Sequence, residues 1–394
     1  EFLFSAAFYS LNSLTLLSVP FFIMAGGLMG SSGLAERLAN IATALVGRFR
    51  GGLGGATVVA CAIFGAIAGL CSAAVAAIGS IMIPRMESEG YPRGHATGLV
   101  TCASVLAQLI PPSVPMILFA WVTRLSVADC FLSTIGPGIL MVIIYIFLNW
   151  LMCRRIPTIK IHPKVSLWQQ VKEVGSATVR GTLALVGALI ILWGIYGGFT
   201  TPTEAATLAT LYTVLVGFLI YRTLNFRELG RTLFTTATTT GVIILMLFFV
   251  MMLSRIYTME NVPQRLVELM TGISEDKNVI LAMINVFLII VGMLMDDFSG
   301  TLLSAPLLLP IIKHIGVSPY HFAAIMGTNL GLGNVTPPCA PILYLGGRMA
   351  NCSFDKYIGP ALIFMIFGSL PVVIVTTYWP DLPLFLPRLI MGIK

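Results

Sequence analysis

Charge is what this sequence has least of. Only 10% of its 394 residues are Asp, Glu, Lys or Arg, while 57% are hydrophobic. An ordinary soluble domain carries roughly 25% charged residues, so a water-facing globule of this size is excluded. The mean hydropathy of +0.94 belongs to a chain whose solvent is mostly lipid. The net charge of +7 is scattered over loops without a basic block. That distribution argues against a nucleic-acid partner and fits the cytoplasmic loop bias of a membrane protein. Also missing are C-x-x-C, H-E-x-x-H, a G-x-S-x-G elbow and repeated acidic metal motifs, which weighs against an intramembrane enzyme. Of the seven cysteines, Cys61, Cys71, Cys102, Cys130 and Cys339 fall in apolar stretches and read as small buried hydrophobes. The first residue is Glu1 rather than Met, so further N-terminal sequence is expected.

The few charges mark the aqueous ends of an all-α polytopic chain. Residues 14–30 form a first crossing. Residues 31–52, with Arg37, Arg48 and Arg50 opposite a stripe of Leu34, Leu38, Ile41 and Leu45, suit a helix in the interface plane. The uncharged run 51–84 would be ~50 Å as one helix, too long for a ~30 Å core, yet it is too short for two spans. A re-entrant hairpin with its tip near residues 68–72 solves this. Residues 96–123 cross once, broken at Ile110-Pro111-Pro112-Ser113-Val114-Pro115, and residues 130–152 cross again. The stretch 153–181 sets Arg154, Arg155, Lys160, Lys164, Lys172 and Arg180 against the single acid Glu173, and is read as cytoplasmic. A helical pair, 182–199 and 205–221, precedes a crossing at 233–254 and an acidic interfacial segment at 256–277. A second hairpin follows at 278–312, tipped by Asp296 and Asp297. A second broken helix at 322–347, interrupted at Asn334-Val335-Thr336-Pro337-Pro338, and a last crossing at 357–379 complete the chain.

The two hairpin-plus-broken-helix units match at a constant offset of 226: Pro84 with Pro310, Gly90 with Gly316, His95 with His321, and Pro111, Pro112 and Pro115 with Pro337, Pro338 and Pro341. Ile135-Gly136-Pro137 matches Ile358-Gly359-Pro360 after a three-residue slip. Counting crossings from the cytoplasmic stretch opens the first hairpin inward and the second outward. The repeats, 51–152 and 278–394, are thus inverted, flanking a middle segment 153–277 and preceded by 1–50. Inverted repeats with discontinuous helices mark secondary transporters whose site lies at the repeat interface. A channel is the weaker reading, since no filter-like loop stands out.

Broken helices free carbonyls that can replace a cation's water, while helix N-termini favour an anion. One expected cation site gathers Gly65, Gly69, Ser72, Ile110, Pro111 and Ser113. The other gathers Asp296, Asp297, Ser299, Gly333, Asn334 and Thr336. Ser72, Ser299, Pro112 and Pro338 are expected beside the solute, an organic anion; the coupling cation is expected to be sodium, with no cofactor. Asp296 and Asp297 are the only acids well inside an apolar run, so a partner or function is the default for them. His95, His321, Arg124 and Arg348 read as helix-end or headgroup residues. Gly65/Gly69 and Gly327/Gly331 read as close-packing spacings.

At Pro20-Phe21-Phe22-Ile23-Met24-Ala25-Gly26, Phe64-Gly65-Ala66-Ile67, Ala77-Ile78-Gly79-Ser80-Ile81-Met82-Ile83-Pro84, Gly90-Tyr91-Pro92, Ile110-Pro111-Pro112-Ser113, Gly292-Met293 and Thr336-Pro337-Pro338 the sequence resembles the large membrane subunit of TRAP (tripartite ATP-independent periplasmic) transporters. The resemblance implies a sodium-driven elevator-type importer of carboxylates in the bacterial inner membrane. Its partners would be a small four-helix membrane subunit and a periplasmic substrate-binding protein. The interfacial segments and middle crossings would form the scaffold, and the two repeats the moving transport domain. One departure is clear: the family's first tip usually reads Ser-Gly-Ser-Ser, and here it reads Ala68-Gly69-Leu70-Cys71, leaving Ser72 as the nearest hydroxyl. Asn334 and the tandem Asp296-Asp297 are also less common variants. An exchanger working without a binding protein is the alternative within transport.

Overall fold

The computed structural model describes residues 2–47, 51–160 and 167–392. Arg48, Arg50 and Lys164, placed above at cytoplasmic ends, lie outside the described residues. All regular structure among the described residues is helical. The chain begins with α1 (Phe2–Ser10), α2 (Ser18–Ser31) and α3 (Leu34–Val46). The helices α2 and α3 meet at 72°, turning at Gly33, whose φ of 73° suits a residue without Cβ. The apolar stripe of α3 buries Leu34, Leu38 and Ile41, although Leu45 at its end is 43% exposed.

The run at 51–84 is a helical hairpin of α4 (Gly52–Ala68) and α5 (Cys71–Ser88), and α5 carries Pro84 inside it. Next comes α6 (Arg93–Ala103), then α7 (Leu106–Leu109), a gap at 110–113, and α8 (Val114–Thr123); α9 (Val127–Cys153) follows as one long helix. The middle of the chain comprises α10 (Leu167–Tyr196), α11 (Pro202–Leu215), α12 (Phe226–Met259) and α13 (Val262–Ile273). Thr201 and Glu204 form a reciprocal capping box that starts α11 sharply after the turn. With 34 residues, α12 is ~50 Å long, more than a bilayer core, so it reaches into the segment read as interfacial.

The second unit repeats the first: α14 (Lys277–Leu294) and α15 (Asp297–His314) form the hairpin, and α16 (Pro319–Val335) and α17 (Pro341–Met349) form the broken helix. The last crossing is α18 (Phe354–Phe364) and α19 (Leu370–Tyr378), joined through one π turn. A terminal helix, α20 (Asp381–Met391), was not expected; it packs on α9, where the Leu382 carbonyl sits over Gly136. Pro383 and Pro387 lie within it, which disguised it in the sequence.

The two repeats are interlocked. Each hairpin's first limb lies on its own broken helix, α4 on α7 and α14 on α16. Each second limb packs both on its own broken helix, α5 on α6 and α15 on α16, and on the other repeat's, α5 along α17 and α15 along α8. Equivalent features recur: Gly90 and Gly316 both have positive φ, and the Pro111–Pro112 and Pro337–Pro338 bonds are both cis. His95 and His321 are buried and tie each broken helix to its repeat's last crossing, through Asn149 Oδ1 at 3.0 Å and the Thr376 carbonyl at 2.7 Å.

Candidate functional site

The first hairpin tip is two residues long. Gly69 ends α4 with φ 63°, and extended Leu70 starts α5. A side chain on Gly69 would meet the Pro112 carbonyl 2.6 Å from its Cβ, and the Val114 N–H donates to the Gly69 carbonyl at 3.2 Å. The tip is therefore docked directly onto the helix break. Gly65, one turn back, is needed for the same approach: its Cβ would lie 2.5 Å from Ala107 Cα. Of the first expected cation group, Gly65, Gly69, Pro111 and Ser113 are thus gathered and buried, and Ile110 is half-buried. Ser72, in the first turn of α5, is exposed. The Ser113 hydroxyl is fully buried with no hydrogen-bond partner.

The second tip is Met295 and Asp296. The Asp296 carboxylate caps α15, accepting from the Ser299 N–H at 3.3 Å. Gly292 and Gly333 allow the close approach here, since a Cβ on Gly333 would sit 2.6 Å from Gly292 Cα. The second break lies at 336–340 rather than 334–338, so Asn334 is inside the last turn of α16. There it is completely buried, and its amide oxygen has no hydrogen-bond partner. Thr336 donates its hydroxyl to the Leu332 carbonyl at 2.6 Å, leaving its oxygen lone pairs open to a cation. Asp297 is 5% exposed, and its carboxyl group faces the Cys71 thiol of the first tip and the Asn334 amide. Cys71, Asp297 and Asn334 therefore meet at one point.

Gln108 was not singled out in the sequence, although it is the lone amide one turn before the first Pro-Pro. It accepts from the Cys71 thiol at 3.4 Å and donates to the Gly327 carbonyl at 2.6 Å, linking the first tip to α16. Gly327 and Gly331 of α16 leave the room for this contact. Asn329 lies within α16, before the second break, and donates to Asn285 Oδ1 of α14 at 2.8 Å. Cys61, Cys71, Cys102 and Cys130 are buried as expected, but Cys339 is exposed at the second break. An apolar run does not reveal which of its residues faces a cleft. Ser299 is half-buried and donates to Met246 Sδ of α12 at 3.2 Å; Pro112 is buried and Pro338 exposed. Ser72 at the first tip and Pro338 and Cys339 at the second break are thus exposed and uncharged, and Asp296 at the second tip is half-buried.

Paired hairpins whose tips meet paired helix breaks are a family-level arrangement. The model of the DctM component of tripartite ATP-independent periplasmic transporters matches residues 3–382. The chain belongs to that family. A C4-dicarboxylate TRAP transporter large permease protein DctM of Pseudomonas aeruginosa is 35% identical over 379 residues, covering 95% of this chain and 86% of its own length. An isethionate TRAP transporter permease protein DctMQ of Oleidesulfovibrio alaskensis is 34% identical over 386 residues, 98% of this chain. The chain spans 60% of the length of that DctMQ protein. Among solved structures, the Alcanivorax borkumensis YdaH transporter shares the fold at TM-score 0.63 and 15% identity, covering 96% of this chain and 88% of its own. This DctM chain is a multi-pass transporter permease subunit, and its relatives are permeases rather than enzymes.

Proposed function

We propose that this DctM chain is the permease of a sodium-coupled, binding-protein-dependent importer of a small organic anion in the bacterial inner membrane. The observation that carries the reading is the meeting of each hairpin tip with a helix break, with the Ser113 hydroxyl buried and unpartnered at one and Asn334 buried beside the Asp297 carboxyl group at the other. Unpaired buried oxygens beside freed carbonyls are suited to a desolvated cation. Gly65, Gly69, Ile110, Pro111 and Ser113 would hold one sodium; Asp296, Asp297, Ser299, Gly333, Asn334 and Thr336 would hold another. The N-terminal ends of α5 and α15 lie at the tips and favour an anionic solute beside Ser72, Ser299, Pro112 and Pro338. The names of the Pseudomonas and Oleidesulfovibrio relatives, a dicarboxylate and a sulfonate system, support that solute class. They also support partnership with a small membrane subunit and a periplasmic binding protein.

An elevator motion is favoured by the seam between α2 and the first hairpin. Gly26 lies against Ala68, where a Cβ added to the glycine would sit 2.9 Å from Ala68 Cβ, and Gly30 lies against Ala77. Small side chains on both surfaces leave nothing interdigitated to resist sliding. The test is uptake of isethionate and C4-dicarboxylates into proteoliposomes holding this chain, its small subunit and its binding protein. Uptake driven by an inward sodium gradient is expected. Indifference to sodium would overturn the coupling, and equal uptake without binding protein would favour the exchanger.

A further inference from the structure

The geometry points to an anionic-phospholipid site in the cleft where α6, α9 and α18 meet. This cleft, of about 590 Å³, carries Arg93, Arg155 and Lys356 at its rim and no acidic side chain among its lining residues. The three cations converge because two helices start together. Gly94, in the first turn of α6, is pressed onto the Lys356 carbonyl in the first turn of α18, in contact with its backbone. Two helix N-termini of 11 residues each thus add their positive ends to the same rim. Arg155 arrives from just beyond the C-terminal end of α9.

The charges at this rim are largely unspent. Arg93 is shared with Glu87 at 3.4 Å and with the Ala350 carbonyl at 2.6 Å. Arg155 and Lys356 have no ion-pair partner among the described residues, and both are exposed. Below the rim the wall turns apolar, through Met152, Pro360 and Ile363, and Ile363 continues onto exposed apolar surface with Phe367. Trp150, one turn back on α9 with Arg154 stacked 3.7 Å over its ring, marks the depth of the membrane interface. A basic rim at headgroup level above an apolar wall fits one phosphate-bearing headgroup with its glycerol and upper acyl chain. The soluble alternative, a free phosphate-class anion, gains nothing from that wall.

The inference rests on the membrane setting of a DctM chain and not on sodium coupling, so lipid retention is read without transport. The purified full chain in mild detergent is titrated with phosphatidylglycerol or phosphatidylethanolamine and bound lipid is counted by native mass spectrometry. Preferential retention of phosphatidylglycerol is expected. The double variant Arg155→Gln/Lys356→Gln should weaken it about 30-fold, roughly fivefold per cation. The control Arg227→Gln/Arg231→Gln, which removes the same charge elsewhere, should leave it unchanged. Equal retention of both lipids, an unaffected Arg155→Gln/Lys356→Gln protein, or an equal loss in the control would overturn the site. Competition by glycerol 3-phosphate at the same concentration as the lipid would overturn the lipid assignment in favour of a soluble anion.

Discussion

The Cys71 thiol at the first hairpin tip lies against the buried Asp297 carboxyl group at the second. Two segments more than two hundred residues apart are thereby joined by their polar groups, and Gln108 completes the link. Cys71→Ser restores the hydroxyl usual in the family and keeps a donor, so uptake and stability should stay near wild type. Cys71→Val removes the donor to the buried Gln108 Oε1 and the polar neighbour of Asp297, at a cost of about 1–3 kcal/mol. A lower thermal midpoint of the purified protein for Cys71→Val alone is the expected result.

Asp296 has two separable roles, a helix cap and a proposed cation ligand. Asn caps as well as Asp, whereas Ala loses about 0.5–2 kcal/mol. Asp296→Asn should therefore fold normally but need at least about tenfold more sodium for half-maximal uptake, a loss near 1.4 kcal/mol. Near-wild-type sodium dependence in Asp296→Asn would reduce the residue to a cap. Asp296→Ala should abolish sodium-coupled uptake while the protein still reaches the membrane.

The glycines under the tips are spacers that no side chain can replace. Gly65→Val and Gly333→Val place atoms where the Ala107 and Gly292 backbones already lie. Overpacking of this kind costs about 1–3 kcal/mol, and here backbone rather than a flexible side chain must yield. Each hairpin should lift from its break, giving faster proteolysis at the tip and loss of uptake. The control Gly359→Ala, where nothing lies within 4 Å of the new Cβ, should change neither.

Asn149 is the buried knot of the first repeat. Its Nδ2 donates to the Gly51 carbonyl at 2.7 Å, and its Oδ1 accepts from the Cys153 thiol at 3.5 Å and meets His95 Nε2 at 3.0 Å. Asn149→Leu would strand several of these groups and crowd Gly54, at about 2–4 kcal/mol. Thermal unfolding in detergent should show a larger loss than for Thr238→Val on the exposed surface of α12.

The hairpins were legible because charge is so scarce that the length between charges is informative. The broken helices were legible because Pro-Pro interrupts a helix wherever it falls. The exact break was not: Val335 and Asn334 stay helical because backbone bonds persist until the residue just before the first proline of the pair. Nor was the Cys71–Asp297 contact visible, since it depends on how two distant tips face each other. The pattern announced that Asp297 needs a partner; only the fold supplied which one. Short helices such as α1 and α20 escaped because prolines or brevity erase their periodicity.

The contact each second limb makes with the other repeat has a consequence for biogenesis. Because α5 rests on α17, the first hairpin has no permanent neighbour for that face until residue 349 has been made. At ribosomal rates of about 5–20 residues per second, it waits in the bilayer for on the order of tens of seconds. During that interval the nascent first half is an orphan, exposed to the insertase and to membrane proteases. The two halves can mature only together.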